Sequence, residues 1–510
     1  MAGAVGSATP ERGVIASTIW VLGDQLSLTN EAFVGASPAT HRVLVVESAA
    51  KLAEQRWHVQ RAHFFVASMR RFVLECRAAG WQVDHRRAGS LAQGFHEHVA
   101  EFAPERVVAM EGTSRAGRSL LQRLGVELVR SNQFLCHPDE FAEWATGRKQ
   151  LRLEDFYRWQ RTRFGVLMDG DGPVTGRWNY DADNREPPPK DGLNHWPEPL
   201  QSPLDDLDRA VLADLPDSVW GAPPDGTWAT SRAGALERLH HFVDRLLPQF
   251  GPHEDAMLTA SWHLAHSLLA QYLNIGLLHP REVVEAVEAA YRDGRVPIAS
   301  AEGFIRQVIG WREYVWGLYW WFGEEYSSQN ALDAHRPLPP AFTGAPTQMR
   351  CVSTTLQTLH DHAWVHHIQR LMVLGNLALL AGVDPWAMTR WMWAGFVDGG
   401  EWVMLPNVVG MALHADGGRM ATKPYAAGGA YIDRMSDYCR GCRFDRSKRT
   451  GPDACPFTTL YWDFLDRQGE RFVRNPRMAQ QVRGAERLSD MPAVRERAAE
   501  VLSMLDAGVL

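Results

Sequence analysis

The alternation of strand-like and helix-like segments constrains the fold of this chain more than any other feature. Within the first 135 residues, helical periodicity separates five short runs rich in β-branched residues: 18–22, 43–47, 82–86, 106–110 and 127–130. Strands separated by helices indicate βαβ units and a parallel sheet. Beyond residue 233, long stretches with a 3.6-residue period follow, such as 354–381. We predict an α/β, Rossmann-like parallel-sheet domain over residues 15–135 and a large all-α domain over residues 233–510.

The segment between these domains is rich in Gly, Pro, Asp and Asn, and it includes three consecutive prolines at 187–189. This composition is typical of connecting segments. Residues 136–232 are therefore predicted to form an interdomain linker.

Composition and charge exclude several classes of protein. Because 45% of the residues are hydrophobic and 22% are charged, as in globular proteins, a disordered chain is excluded. The net charge of −7 excludes a uniformly basic nucleic-acid-binding protein. Residues 419–449 nevertheless carry eight basic side chains against three acidic ones, and residues 148–163 interleave basic side chains, including Arg161, with Tyr157 and Trp159. Each patch is either a solvated face or a local contact with nucleic acid.

No segment has the pattern of a membrane anchor. Residues 1–16 lack the charged and apolar regions of a signal peptide, and the longest mainly apolar run, 371–383, is shorter than a bilayer span. We therefore expect a cytoplasmic protein that does not contact membranes.

Four cysteines are candidate metal ligands. Cys439, Cys442 and Cys455 are closely spaced, and Cys351 lies far upstream. Four thiolates bind either tetrahedral zinc or a [4Fe-4S] cluster. Zinc ribbons usually pair two Cys-x2-Cys knuckles, so the distant fourth cysteine and the Cys-Pro ending at 455–456 favour the cluster.

Polar side chains end two of the predicted strands. Asp24 and Gln25 follow the first strand, and Glu47 ends the second. Because ligands of parallel sheets bind beyond the carboxyl ends of strands, the two acids are either ligand contacts or turn and cap residues. The glycine-rich dinucleotide fingerprint is absent, which argues against a nicotinamide cofactor.

The run His366-His367-Ile368-Gln369-Arg370 is a further candidate site. Its two histidines are either structural or functional. Arg370 precedes an apolar run and needs an acidic partner if it is buried, and Asp398 is the candidate. Such a pair could lie over a flat redox cofactor and stabilise its anionic form.

Tryptophan is unusually frequent, with 20 in 510 residues, and many lie within 311–321 and 364–393. Dense indoles fill hydrophobic cores. Closely spaced indoles on buried helices also carry single electrons, so both interpretations stay open.

Together these features resemble the cryptochrome/photolyase family, and specifically its bacterial iron-sulfur branch of (6-4) photolyases and cryptochrome-like relatives. The motifs that carry the resemblance span nearly the whole chain. They are LGDQL at 22–26, GRWNYD at 176–181, HSLL at 266–269, GFIRQ at 303–307, GWREY at 310–314, HHIQR at 366–370, KPY at 423–425 and the four cysteines.

The resemblance implies the photolyase/cryptochrome fold, with FAD bound in the helical domain. The residues that would line the FAD pocket, by their positions in the family pattern, are His266, Ser267, Leu268, Leu269, Gln307 and Arg312. Arg370 and Asp398 would form the ion pair beside the isoalloxazine ring, and Met404 would face its N5 atom.

Two further cofactors are implied by the resemblance. Asp24, Gln25 and Glu47 would contact an antenna, 6,7-dimethyl-8-ribityllumazine, in the sheet domain. The [4Fe-4S] cluster would be held by Cys351, Cys439, Cys442 and Cys455.

The activity that the resemblance implies is light-dependent repair of UV-induced (6-4) pyrimidine-pyrimidone lesions. Excited, reduced FAD donates an electron to a lesion flipped out of DNA, and a histidine acts as the acid. His367 matches that histidine and His366 is its neighbour, whereas Leu371 stands where eukaryotic relatives carry a second histidine. The implied partner is UV-damaged DNA, and we expect a monomer.

The sequence departs from the family where aromatic residues carry electrons to the flavin. Phe342, Met392 and Gly400 occupy those positions, Trp391 is retained, and Trp393 is a candidate substitute. These departures leave a second function open, a blue-light photoreceptor of the same fold. A third interpretation, independent of the resemblance, is a noncatalytic nucleic-acid-binding protein with zinc held by the four cysteines.

Overall fold

A computed structural model describes residues 15–510 of the chain. The expectation about a leader over residues 1–16 therefore lies almost entirely outside the described residues. Across residues 15–510, no helix combines the length and the apolarity that a bilayer crossing requires.

A five-stranded parallel sheet forms the N-terminal part of the protein. Its strands are β1 Ser17–Val21, β2 His41–Ser48, β3 Gln82–Ala88, β4 Arg106–Met110 and β5 Glu127–Val129. The strand order is β3-β2-β1-β4-β5, so the chain changes direction across the sheet between β1 and β4. The predicted α/β sheet is confirmed, and each strand begins within two residues of its predicted start.

Helices cover both faces of this sheet: α1 Ala49–Ala53, α2 Val59–Ala78, α3 Leu91–Phe102 and α4 Arg115–Arg123. Val43 and Val45 of β2 belong to the core that contains Phe72 of α2. Leu44, one residue out of phase, packs on the opposite face with Phe95 of α3. The alternation of side chains along β2 thus places a buried layer on each side of the sheet.

Residues 136–232, predicted to be a linker, carry three helices and a short hairpin: α5 Pro138–Ala145, α6 Leu153–Phe164, β6 Met168–Asp169, β7 Gly172–Pro173 and α7 Asp206–Asp214. Phe141 of α5 and Phe156 of α6 are fully buried in the same core as Tyr314 of the helical domain. Part of the predicted linker is therefore packed against the helical domain.

The remainder of the chain is helical, as predicted. Its helices are α8 Arg232–His241, α9 Ala270–Asn274, α10 Pro280–Arg292, α11 Ile298–Ile305, α12 Glu313–Phe322, α13 Arg350–His362, α14 Asn376–Ala381, α15 Pro385–Gly395, α16 Glu401–Leu405, α17 Gly429–Met435, α18 Pro456–Arg467, α19 Gly469–Phe472, α20 Ala479–Glu486 and α21 Met491–Ala507.

Four segments of π-helix lie within residues 15–510: Phe242–Leu246 follows α8, and three others occur further along the chain. Arg306–Arg312 joins α11 to α12, Gln369–Gly375 precedes α14, and Pro406–Ala412 follows α16. The extra residue in a π-helical turn redirects side chains, and such turns are frequent at functional sites. These three later segments all contribute side chains to the wall of one cavity.

The helical periodicity over residues 354–381 does not correspond to one continuous helix in the structure. Helix α13 ends at His362, Ala363 takes the left-handed conformation with φ of 53°, and the helix resumes only after His366. Val397 N–H donates to the Ala363 carbonyl at 2.8 Å, which holds the break in place. The consequence is that His366 and His367 lie at the start of a helix.

Candidate functional site

A cavity of about 1040 Å³ lies in the helical domain. This volume is at the upper limit of the range of about 300–1,000 Å³ that is usual for small-molecule sites. The wall includes all nine residues that the resemblance assigns to the flavin: His266, Ser267, Leu268, Leu269, Gln307, Arg312, Arg370, Asp398 and Met404. The structure thus brings together residues that are far apart in the sequence, and their roles stay predictions.

Arg370 and Asp398 form the ion pair that the sequence predicts. The two guanidinium nitrogens donate to the two carboxylate oxygens at 2.9 Å each. Arg370 Nε also donates to the carbonyl of Val365 at 2.7 Å, and the guanidinium lies 4.1 Å from the ring centre of Phe396. Asn274 donates to the backbone carbonyl of Asp398 at 2.8 Å. These contacts hold both the guanidinium of Arg370 and the carboxylate of Asp398 in place, which suits a site that must orient a planar ligand.

Three histidines cluster on one side of the cavity. The rings of His266 and His366 are stacked with centroids 4.7 Å apart, while His367 lines the cavity. Burial, together with repulsion from His263 and His367, lowers the pKa of His266 to about 3. Burial and the charge of Arg370 lower the pKa of His367 to about 4. These imidazoles are therefore neutral at pH 7 in the protein alone.

His366 occupies a different position from its neighbour. It is 1% exposed and is not part of the cavity wall, and neither of its ring nitrogens has a hydrogen-bond partner among residues 15–510. Burial lowers its pKa well below the ordinary value. His366 thus supports the site from behind, whereas His367 faces it.

An acidic group that sequence reasoning missed lies in the same wall. Glu254 accepts a hydrogen bond from Gln307 at 2.8 Å, and burial raises the pKa of Glu254 to about 8. Arg306 pairs with Asp181 at 2.8 Å close by. Glu254 lies in a loop without periodicity, so nothing in the local sequence distinguishes it from a surface residue.

Arg312 is compensated within the protein. Its guanidinium donates to Glu313 at 2.7 Å and lies 4.1 Å from the ring centre of Phe134. Burial lowers the pKa of Arg312. The Nε atom of Arg312, two nitrogens of Arg306 and Nε2 of His266 are buried without a hydrogen-bond partner among the described residues. These orphaned groups line the cavity and fit a polar ligand.

The two indoles predicted to relay electrons project to different sides of α15. Trp393 lies 6.0 Å from Trp57, while Trp391 donates to the carbonyl of Phe342 at 2.8 Å. Neither indole lines the cavity, although Met392 between them does. Trp402, which the sequence analysis did not single out, does line it.

The polar groups at the strand ends have separate environments. Thr113, which follows β4, donates to the carboxylate of Asp24, and burial raises the pKa of Asp24. The Gln25 amide donates to the carbonyl of Glu111 at 2.7 Å, and its own carbonyl oxygen has no partner among residues 15–510. Asp24 and Gln25 therefore lie together at the point where the strand order reverses.

Glu47 is engaged by other side chains. Arg70 donates to both of its carboxylate oxygens, at 2.8 and 2.9 Å, and His85 contacts it at 2.8 Å. Burial alone would raise its pKa, but these two partners lower the pKa of Glu47 to about 2. Both carboxylate oxygens of Glu47 are therefore bonded to side chains of the sheet domain. Asp24 and Gln25 have fewer such partners and are more available to a ligand.

The four predicted metal ligands, Cys351, Cys439, Cys442 and Cys455, line one small cavity together. Burial and the proximity of the other thiols raise the pKa of Cys351. A Cβ atom at Gly429 would lie 2.9 Å from the sulfur of Cys455, so this wall has room only for glycine. Within the described range, no group of three or more Cys, His, Asp or Glu has the geometry to hold a single metal ion.

The two basic patches differ in the structure. Arg161 is 1% exposed and donates to the carbonyls of Val166, Leu167 and Trp178, so at this residue both alternatives for the first patch, a solvated face and a contact with nucleic acid, are wrong. The cause is that this face of α6 packs inward, and Tyr157 beside it is fully buried.

In the second patch, Arg446 and Arg449 are paired with Asp433 and Asp490. Lys423 and Arg434 have no acidic partner within residues 15–510, and both line the large cavity. Arg434 is exposed, so the cavity opens to the surface beside it.

The chain is similar to known proteins over nearly its whole length. The sequence model of the family described as deoxyribodipyrimidine photo-lyase-related protein matches residues 19–223. A relative from Agrobacterium fabrum, described as a (6-4) photolyase, is 40% identical over 506 residues, which cover 96% of this chain and 99% of the relative.

Two solved structures share the fold. A bacterial class III photolyase from Agrobacterium tumefaciens superposes with a TM-score of 0.58 at 17% identity, covering 99% of this chain and 100% of that chain. A cryptochrome from Synechocystis superposes with a TM-score of 0.51 at 14% identity, covering 91% of this chain and 89% of that chain. At these identities the two structures show the fold alone, and they confirm the predicted architecture.

Proposed function

Because this chain belongs to the photolyase family, as 40% identity over 96% of its length to a (6-4) photolyase shows, we propose that it repairs (6-4) lesions in UV-damaged DNA with light. The observation that carries the proposal is the cavity in which His367 and the Arg370–Asp398 pair face one space. A proton donor and a fixed charge pair in one cavity are what a redox reaction on a bound base requires.

The donor set of the cavity fits FAD. The orphaned nitrogens of Arg306, Arg312 and His266 would meet polar groups of the cofactor, and the Arg370–Asp398 pair would lie against its ring system. When bound and reduced, the flavin supplies an electron upon excitation by light. Leu268 and Met404 exclude water from the same wall because they are buried and apolar.

We assign the acid role to His367. Its neutral state at pH 7 means that it must gain a proton before it can donate one, and the approach of DNA phosphates would favour that gain. The exposed Arg434 and the neighbouring Lys423 are positioned to contact phosphates beside the cavity. His366 keeps a supporting role, because its ring is stacked on His266 outside the cavity wall.

The cysteine site, defined as Cys351, Cys439, Cys442 and Cys455, fits a [4Fe-4S] cluster better than zinc. Its four thiols line one cavity, and the fourth cysteine, Cys351, lies far from the other three in the sequence, unlike the paired Cys-x2-Cys knuckles of a zinc ribbon. Such a cluster supplies a redox-active centre and also crosslinks the segments that carry its ligands. The site would fasten α13, which carries Cys351, to the segment that precedes α18.

Asp24 and Gln25 fit the proposed lumazine antenna, whose chemistry when bound is to absorb light and pass the energy on. Both residues lie at the strand-order reversal of the sheet, where parallel sheets bind ligands. Glu47 would contribute less, because Arg70 and His85 already occupy its oxygens. We further propose that the protein acts as a monomer in the cytoplasm.

The photoreceptor alternative rests on Met392 and Met404 in the cavity wall, where they replace residues typical of electron relay and of the flavin N5 contact.

One experiment separates the photoreceptor function from repair. Chemically reduced protein is illuminated with an oligonucleotide carrying one (6-4) lesion or one cyclobutane dimer, and the products are resolved by chromatography. Restoration of the (6-4) bases that is lost in His367→Ala, with DNA affinity retained, supports repair. Unchanged lesions under the same illumination contradict it.

A further inference from the structure

Two buried side chains, Gln369 and Tyr438, hold the turn that carries His366 and His367. Gln369 is 2% exposed and Tyr438 is 1% exposed. The Gln369 carbonyl oxygen accepts the backbone N–H of His366 at 3.2 Å, and its amide nitrogen donates to the Tyr438 hydroxyl at 2.8 Å. Because no water reaches either group, each depends on the other for its hydrogen bond.

The hydrogen bond from the His366 N–H to the Gln369 side chain caps the start of a helix. The chain is non-helical from Ala363 to His366, and the helix begins with His367. A glutamine in the first turn that accepts the N–H of the residue before the helix is one half of a capping box. Arg370, in the same turn, donates its N–H to the His366 carbonyl at 3.2 Å. The side chain of Gln369 therefore helps to set the direction of both His367 and Arg370.

Tyr438 belongs to the wall of the cysteine site at the same time. It lines that cavity and immediately precedes Cys439 in the chain. Its backbone N–H donates to the Ser436 hydroxyl at 3.2 Å, which fixes the segment leading into the ligands. One tyrosine ring thus connects the cysteine site to Gln369, and Gln369 connects it to the histidine turn.

We propose that Gln369 and Tyr438 are positioning residues that couple the cysteine site to the His366–His367 turn, so that an ordered cysteine site keeps His367 in the orientation required for proton donation. The proposal rests on the repair function proposed above and gives the cysteine site a mechanical part in that reaction. The connection consists of the hydrogen bonds from His366 to Gln369 and from Gln369 to Tyr438. Its two hydrogen bonds act only on geometry.

The first test is Tyr438→Phe, which removes one hydroxyl and leaves the ring against the cysteine site. We expect iron content, FAD content and lesion affinity to equal those of the parent. The repair yield per absorbed photon should fall about tenfold or more, because small displacements of a reacting group are costly. A parental yield in this variant would overturn the proposal, and so would loss of iron, since Tyr438 would then only maintain the cysteine site.

Substitutions at Gln369 provide a rescue. Gln369→Glu retains a side chain that can accept both the His366 N–H and the Tyr438 O–H, so it should keep most of the yield. Gln369→Leu can do neither and should match Tyr438→Phe, and the double variant with Tyr438→Phe should lose no more than either single change. Equal losses in the Glu and Leu variants, or additive losses in the double variant, would contradict the proposed connection.

Tyr326→Phe is the matched control. Tyr326 is also fully buried, and its hydroxyl donates to Asp416 at 2.8 Å, but it contacts neither site. We expect this variant to keep the parental repair yield. If it loses as much as Tyr438→Phe, the effect is general destabilisation of the core and the proposal is wrong.

A measurement that does not depend on repair separates this proposal from the proposed function. Hydrogen exchange of the peptide spanning residues 363–372, followed by mass spectrometry, should be faster in Tyr438→Phe and Gln369→Leu than in the parent and in Tyr326→Phe. If the parent repairs no lesion, the proposed function is wrong, but the hydrogen-exchange measurement still tests the coupling. Identical exchange in all four proteins would overturn the coupling even if repair is confirmed.

Discussion

The ring of His266 lies against that of His366 at a centroid distance of 4.7 Å and an interplanar angle of 17°. Protonation of either ring would place a charge in the buried face of the other. Burial, together with repulsion from His263 and His367, lowers the pKa of His266 to about 3, and burial together with repulsion from His266 lowers the pKa of His366 well below its ordinary value.

The stacked pair predicts a loss of stability in acid. Below pH 6.5 these histidines bind protons in the unfolded chain but stay neutral in the folded protein. The free energy of unfolding therefore falls as the pH falls. His366→Phe keeps a stacked ring without the titratable group. We expect its melting temperature to decline less than that of the parent between pH 7 and pH 5. His335→Phe, at an exposed position, is the control and should decline like the parent.

Removing the acid of the cavity ion pair should release the flavin. Asp398→Asn leaves the Arg370 charge without its partner, and breaking a buried pair in this way costs about 3–5 kcal/mol. We expect the ratio of bound FAD to protein, measured by absorbance, to fall about tenfold or more. Asp490→Asn is a close control, because Asp490 holds Arg449 in the same two-point geometry at the surface. Equal FAD loss in both variants would rule out a specific role for the Asp398 pair.

Loss of one cysteine ligand should abolish the metal site. In Cys442→Ala, three thiols remain, and we expect iron to be lost and the yield of FAD-loaded protein to fall. Cys76→Ala, which removes a fully buried thiol in the sheet domain, should retain iron. Iron and zinc are both measured by atomic emission, so a parent that carries only zinc would refute the cluster.

The sequence predicts the sheet well because hydrophobic runs of β-branched residues identify buried parallel strands by themselves. The Arg370–Asp398 pair was predictable for a related reason, since a buried arginine needs an acid. The break at Ala363 was not, because it depends on a hydrogen bond from Val397 that is distant in the sequence. The burial of Arg161 was not predictable for a similar reason, since only tertiary packing decides which face of α6 is buried.

Contact with DNA should depend on the unpaired cations beside the cavity. Arg434 is exposed and without an acidic partner in the described chain, so Arg434→Glu should weaken binding of lesion-bearing and undamaged duplex alike. The slope of log affinity against log salt should fall by about one. Arg449→Glu, at a position already paired with Asp490, should change affinity less. The opposite ranking would place the DNA-binding surface elsewhere.

The electron path into the flavin is where sequence and geometry give different answers. The sequence predicts Trp391, which occupies the relay position of the family, as the donor nearest the flavin, with Trp386 or Trp393 as a more distant link. Trp391 is not part of the cavity wall, whereas the adjacent Met392 is. The Trp391 ring lies 6.3 Å from the ring of Phe396. Trp402 lines the cavity, is 4% exposed, and lies 5.7 Å from Trp316.

Trp402 begins a chain of indoles that leads away from the cavity. Trp316 is 5.5 Å from Trp320, which is only partly buried, so three successive indoles connect the cavity to the surface. The nearby Arg312, 5.4 Å from the Trp402 ring, would oppose a positive charge there, but its pairing with Glu313 offsets this effect.

We therefore expect Trp402→Phe to slow photoreduction of bound FAD more than Trp391→Phe does, and Trp393→Phe to have the smallest effect. Blue light and an external thiol reductant are applied to the oxidised protein, and the rate is taken per bound FAD, so that any loss of cofactor from the altered cavity does not enter it. Repair by chemically reduced enzyme should stay unchanged in Trp391→Phe and Trp393→Phe, because neither indole lines the cavity. If Trp391→Phe alone abolishes photoreduction, electrons follow the family position past Met392, and proximity to the cavity does not select the donor.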